Sequence, residues 1–345
     1  MEFRQIGSRQ VLQIFTIFLI VQFGGFLLAF AGGISVSTTH SYAVSSPAQT
    51  LWFAVYIILV ALIMVLIIKL YKGEMIFRLI EGFVVIAASF FVFLLVLGYF
   101  APNAVLPDSI AALALAVMLV LAKNKKPSLR NTTAVLASIG VGVVLGVSFG
   151  FDAAFALFII IGIYDFVAVF VTKHMITLAK AVSSRNLAFL VSSTDVEAVS
   201  RGMFPSSKKV AQYINDVKKS KNPVLNRLIK NGRIPIVSQI QLGAGDLGIP
   251  LMMEISTAAY FGSYFLGLAA IVGSASGLLF TMWVLKRYMK PLPAIPPILA
   301  FTSFAFAIAF YLKGFGILLP GLFATIAVCF LFLIIFGAKR MGKAV

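Results

Sequence analysis

The stretch "GIYDFVAVF", Gly162 to Phe170, sets one carboxylate, Asp165, in a run that otherwise dissolves only in lipid. An acid at the centre of a bilayer costs about 2.5–3.5 kcal/mol on insertion scales, so a chain that keeps one there has a use for it. The composition supports that setting. Of 345 residues, 61% are hydrophobic and 11% charged, and the mean hydropathy is +1.05. These values belong to an all-α polytopic membrane protein, whose backbone must be satisfied inside helices where water is excluded.

Apolar windows near 10–31, 51–70, 79–100, 109–122, 133–150, 151–172, 236–259, 263–285, 293–312 and 315–337 predict ten spans. Each approaches the roughly twenty residues a helix needs to cross about 30 Å of hydrocarbon. The fifth and sixth nearly merge at "SFGFDAA". Basic residues give an independent check. With the N-terminus inside the cell, Lys69, Lys72, Arg78, "KNKKPSLR", a long basic loop and "KRYMK" all fall on the cytoplasmic side. The opposite connections "GGISVSTTHSYAVSSPAQT", "APNAVLPD", "SFGFD" and "YFGS" carry no Lys or Arg, and of 28 basic residues only Lys313 falls outside. This is the positive-inside pattern. It reads the formal charge of +17 as topology with some attraction to anionic headgroups, and no nucleic-acid partner is implied.

Ala29-Phe30-Ala31 resembles a signal-peptidase site, but the preceding apolar run is about twenty residues, longer than a signal core of 7–15, and reads as an anchor. The lone Cys329 sits in an apolar run and suggests neither a disulfide nor a zinc site. Nothing in the chain calls for a metal or a cofactor. The domain reading is 1–172 with six spans, 173–234 as a basic cytoplasmic loop, 235–312 with three spans, and 313–345 with a tenth span and a basic tail. The 173–234 loop holds 12 basic and 3 acidic residues. Within it "NLAFLV" has the composition of a short strand, and "KKVAQYINDVKK" that of a surface helix.

Four acids fall well inside spans, Glu81, Asp165, Asp246 and Glu254, with Asp152 at an outer end. Glu81 lies within a turn of Arg78, which suggests an ion pair or snorkelling. Glu254 follows Asp246 by eight residues and shares its helix face, where a water-filled cavity is one setting for it. Asp165 and Asp246 differ, because helical counting from Lys173 and from Arg233 places both in the inner half or middle of the bilayer. Two carboxylates brought together in low dielectric cannot both ionise cheaply, so the pair shares a proton, as the acid and base of an aspartyl protease do. Gly243, Gly245 and Gly248 surround Asp246 in "QLGAGDLGIP" and let backbone approach. Gly142/Gly146 and Gly273/Gly277 show the same small-residue spacing without an acid, as helix packing alone would require. Acids on glycine-rich, broken helices equally describe a proton-coupled transporter or ion channel.

Tyr164-Asp165, then Gly243-Ala244-Gly245-Asp246, then Pro293-Ala294-Ile295-Pro296 resemble, in order and spacing, the YD, GxGD and PAL motifs of the presenilin and signal peptide peptidase family. Isoleucine stands at the leucine of the third motif. The run "TKHMITLA" after the first motif looks like that of the archaeal presenilin homologues, and the resemblance covers about residues 10–312. It implies a presenilin-like bundle of nine transmembrane helices, to which the tenth span is an addition. It also implies an intramembrane aspartyl protease with Asp165 and Asp246 as catalytic pair. Tyr164, Gly243, Gly245, Pro293, Ala294 and Ile295 would support the site or the substrate. Transmembrane helices are then the substrates and the bilayer the setting. Other intramembrane chemistries lack their motifs: there is no HExxH, the only histidines are His40 and His174, and Ser274 and Ser276 in "GSASG" read as packing residues.

Overall fold

The computed structural model describes residues 7–31, 46–70, 75–100, 105–172, 190–200, 229, 233–288 and 292–342. Helices form at all ten apolar windows: α1 (Ser8–Ala31), α2 (Pro47–Leu70), α3 (Met75–Phe100), α4 (Val105–Lys125), α5 (Arg130–Ser148), α6 (Phe151–Phe166), α7 (Ala244–Tyr260), α8 (Tyr264–Tyr288), α9 (Ile295–Leu312) and α10 (Leu318–Gly342). Among the described residues, eight helices are long and apolar enough to cross a membrane. The near-merger at "SFGFDAA" resolves at Phe149 and Gly150. Both adopt extended backbone, and the Phe149 N–H caps α5 on Leu145.

One predicted span is corrected. The window at 236–259 is helical only from Ala244, because Arg233–Gly243 forms strand β2, paired with β1 (Leu190–Ser200). The physical reason is visible in "RIPIVSQIQLG". Ile234, Ile236, Ile240 and Leu242 recur with period two, and the β-branched residues favour extended backbone. Hydropathy averaging does not see that alternation. Helical counting from Arg233 to Asp246 therefore fails as a depth measure, since an extended chain advances about 3.3 Å per residue rather than 1.5. Of "NLAFLV", only Leu190 and Val191 are described, and they open β1. The segment "KKVAQYINDVKK" lies outside the described residues.

The chain divides into two compact units. The smaller comprises the first turns of α1, to Ile14, with residues 192–241. There Gln10 Nε2 donates to the Ser193 carbonyl, and Ser193 Oγ donates to Gln13 Oε1. The larger unit holds the rest and is built on close helix contacts that glycine permits. A Cβ on Gly140 would lie 2.0 Å from the Ala88 carbonyl oxygen of α3. One on Gly142 or Gly146 would strike Leu251 or Ile255 of α7, and one on Gly273 or Gly277 the α9 backbone at Thr302 or Ile298. Gly142/Gly146 and Gly273/Gly277 are thus packing glycines. At one end of the unit Phe151, Phe155, Phe261, Phe306, Phe310 and Phe323 form a continuous ring cluster joining α6, the α7–α8 turn, α9 and α10. Edge-to-face contacts dominate it, as the aromatic quadrupole favours.

Gly140→Val should lower the melting temperature of the detergent-solubilised protein, by the roughly 1–3 kcal/mol typical of overpacking or more. Gly321→Ala, placed where a Cβ meets nothing within 4 Å, should leave it unchanged.

Candidate active site

Asp165 sits near the end of α6 and is buried, at 7% exposure. Immediately after it the helix widens: Val167–Val171 is a π turn in which the Thr172 N–H reaches the Val167 carbonyl five residues back. Such turns cluster at functional sites because they displace side chains from the regular helical register. No pattern in "VAVFV" announces this one.

The partner of Asp165 in the fold is the start of α9. Ile295 is the first helical residue, and its N–H donates to Asp165 Oδ2 at 3.2 Å; the backbone of Ala294 also hydrogen-bonds to this carboxyl. The first N–H groups of a helix have no partner within it and carry its positive dipole end. Pro296 and Pro297 follow and have no N–H to offer. The free donors of this turn are thereby concentrated at Ala294 and Ile295, against the acid. Pro293, Ala294 and Ile295 are all buried. The third motif thus meets Asp165 through its backbone, and isoleucine in place of leucine leaves that contact intact.

Asp246 stands at the third position of α7, not in mid-helix as the predicted span implied. Its Oδ2 accepts the Gly243 N–H at 3.2 Å, half of a capping box whose other half glycine has no side chain to supply. Four residues on, the buried Pro250 has no N–H for the Asp246 carbonyl, so the turn carrying the acid lacks a helical bond. Gly248 lies against the Ser138 carbonyl of α5, where a Cβ would stand 3.2 Å away. Gly245, by contrast, is exposed and faces open space, with nothing within 4 Å of an added Cβ.

The two carboxyls lie within electrostatic reach of one another. Tyr164 is half-buried beside Asp165. Glu254 is not drawn into the pair: wholly buried, it accepts a hydrogen bond from Ser274 Oγ at 2.8 Å and ties α7 to α8. Ser276 Oγ is spent on the Val272 carbonyl. Glu81 forms a buried ion pair with Lys123 of α4, a partner 42 residues away that its sequence neighbours do not suggest. Asp152 is exposed in the first turn of α6.

Pro250→Ala returns a donor to the Asp246 carbonyl. It should raise the melting temperature and slow amide exchange around residue 250, since proline inside a helix costs about 3 kcal/mol. An unchanged melting temperature would mean that this carbonyl is already satisfied elsewhere.

Comparison with known proteins bears on this geometry. A solved presenilin family intramembrane aspartate protease, in a C222 crystal form, superimposes with a TM-score of 0.57 at 19% identity, over 88% of this chain and 99% of that one. A P2 crystal form of a presenilin family intramembrane aspartate protease gives 0.53 at 19% identity, over 88% and 96%. At that identity the likeness is one of fold. No curated protein matches the chain. The model of the signal-peptide peptidase and presenilin aspartyl protease family matches residues 15–315, most of the chain and all three motifs. This polytopic membrane protein belongs to the signal-peptide peptidase and presenilin family, and it is an intramembrane aspartyl protease.

Proposed function

We propose that Asp165 and Asp246 are the catalytic pair and that they hydrolyse peptide bonds in transmembrane helices. The observation that carries the reading is that the two carboxyls lie within electrostatic reach of one another, each Oδ2 accepting a backbone N–H. Those bonds hold each carboxyl through its Oδ2. The deprotonated aspartate takes a proton from water as its oxygen attacks the scissile carbonyl carbon, and the protonated partner gives its proton to the carbonyl oxygen. A gem-diol results. The proton gained from water then passes to the leaving nitrogen, the C–N bond breaks, and a gem-diol hydroxyl returns its proton as the carbonyl reforms. The pair ends with the single proton it began with, without a covalent intermediate.

A substrate helix hides its amides in internal hydrogen bonds and must unwind before hydrolysis. The open space at Gly245 and the loosened turn above Pro250 favour admission of unwound backbone beside Asp246. Tyr164, Gly243 and Pro293 support the site by their adjacency. The transporter reading of the same acids finds no observation in its favour.

Asp165→Asn and Asp246→Asn should each abolish cleavage of a labelled single-span substrate while keeping the wild-type melting temperature. Equal cleavage by all three proteins would remove both acids from the mechanism. The rate between pH 4 and 8 should be bell-shaped, reporting the pair and not either residue alone, because neither the doubly protonated nor the doubly ionised pair can turn over.

The placement of basic residues supports a cytoplasmic N-terminus and 173–234 segment, and hence substrates whose N-termini lie outside. Protease added to right-side-out vesicles should spare a tag inserted in 173–234; cleavage of the tag would reverse the orientation.

A further inference from the structure

Helix α1 meets α7 one residue beyond Asp246. Gln22 of α1 is wholly buried, and its Nε2 donates to the Leu247 carbonyl at 3.1 Å. About one turn further along both helices α1 is pressed against Leu251: a Cβ on Gly25 would lie 2.3 Å from Leu251 Cδ2. A small residue at 25 thus lets the two helices approach closely enough for the amide to reach. A carbonyl can only accept, which fixes the amide with its nitrogen towards Leu247 and its oxygen turned away. Among the described residues that oxygen, Gln22 Oε1, is buried without a hydrogen-bond partner.

Stability does not account for this arrangement. Within a membrane an interhelical side-chain hydrogen bond contributes little net on average, and a buried acceptor left without a donor costs more than such a bond contributes. Nor does the Leu247 carbonyl depend on the amide, because Leu251, four residues on in α7, is its regular helical donor. The consequence of the bond is local. Pro250 deprives the Asp246 carbonyl of its helical bond, and a proline ring crowds the carbonyl four residues before it. The Asp246 side chain caps the front of this turn through the Gly243 N–H, so further support has to come from outside α7. Gln22 supplies it, one peptide unit from the acid. An amide neither carries charge nor titrates, so it stands there without competing for the proton of the pair.

We propose that Gln22 is a positioning residue of the protease: through the Leu247 carbonyl it holds the backbone that carries Asp246. The assignment rests on the catalytic reading of that acid. Gln22→Met and Gln22→Leu remove the amide and leave an apolar side chain in its place. In the full-length protein each should lower kcat for a labelled single-span substrate about tenfold, the scale of one hydrogen bond, with KM unchanged. Binding of a peptide whose scissile amide is replaced by hydroxyethylene, a mimic of the gem-diol, should weaken by about the same factor. The melting temperature should hold or rise, since the unpartnered acceptor goes with the amide. An unchanged kcat overturns the assignment. So does a loss of rate accompanied in both variants by a lower melting temperature, which would make Gln22 a packing residue, and so does a raised KM at constant kcat, which would make it a substrate contact. Full activity of Asp246→Asn would instead overturn the catalytic reading, and the role of Gln22 with it.

Discussion

A carboxyl group removed from water must be given donors, or it destabilises whatever encloses it. In this bundle the donors for Asp165 come from the first turn of α9, through the Ile295 N–H and the backbone of Ala294. That contact sets the registration of α6 against α9 at one end, and the ring cluster of Phe151, Phe155, Phe306 and Phe310 holds the same two helices at the other. A shear between them would have to break a charge-assisted hydrogen bond in low dielectric and an interlocked aromatic core together. Two prolines reinforce the arrangement by removing competing donors, so the turn has little else to do with its free N–H groups than face the acid.

Asp246 is held by a different device with a similar result. It caps its own helix, returning a bond to Gly243, while the missing N–H of Pro250 leaves its carbonyl without the usual partner. One acid is therefore fixed from another helix and the other by its own first turn. The mobile-looking features, the glycines and the broken hydrogen bonding, are on the Asp246 side. The α7 helix they belong to is nonetheless seated on α5 through Gly142, Gly146 and Gly248, so looseness is confined to the turn.

Much of this was legible in the chain. Ten helices follow from hydropathy, and the aspartates stand out because acids are rare in such runs. What escaped was of two kinds. The strand before Asp246 was missed because "IPIVSQIQL" is apolar enough to pass for a span, although its period-two alternation distinguishes it. The π turn after Asp165 and the Lys123 partner of Glu81 had no local signal: one is a backbone register, the other a meeting of residues 42 positions apart. Of the proline pair at 296 and 297, the third motif takes in only the first. The pair's donor-removing role emerges only when the carboxyl it serves is placed.

The tenth helix bears on the same acid. The stretch shared with the family ends at residue 315, and α10 begins at Leu318. Yet α10 is fitted to α6 by reciprocal gaps. Phe330 closes on Gly162, one turn before Asp165, where a Cβ would lie 3.2 Å from its ring. In return Gly337 receives Phe166 and Phe170, the rings just beyond the acid. Leu299 of α9 also borders Gly162, so the seam between α6 and α9 is covered by α10 over the turns that flank Asp165. That side of the acid is covered by side chains that lie beyond the matched stretch. The dry surroundings of Asp165 are, in this chain, partly the work of a helix beyond the stretch matched to the family.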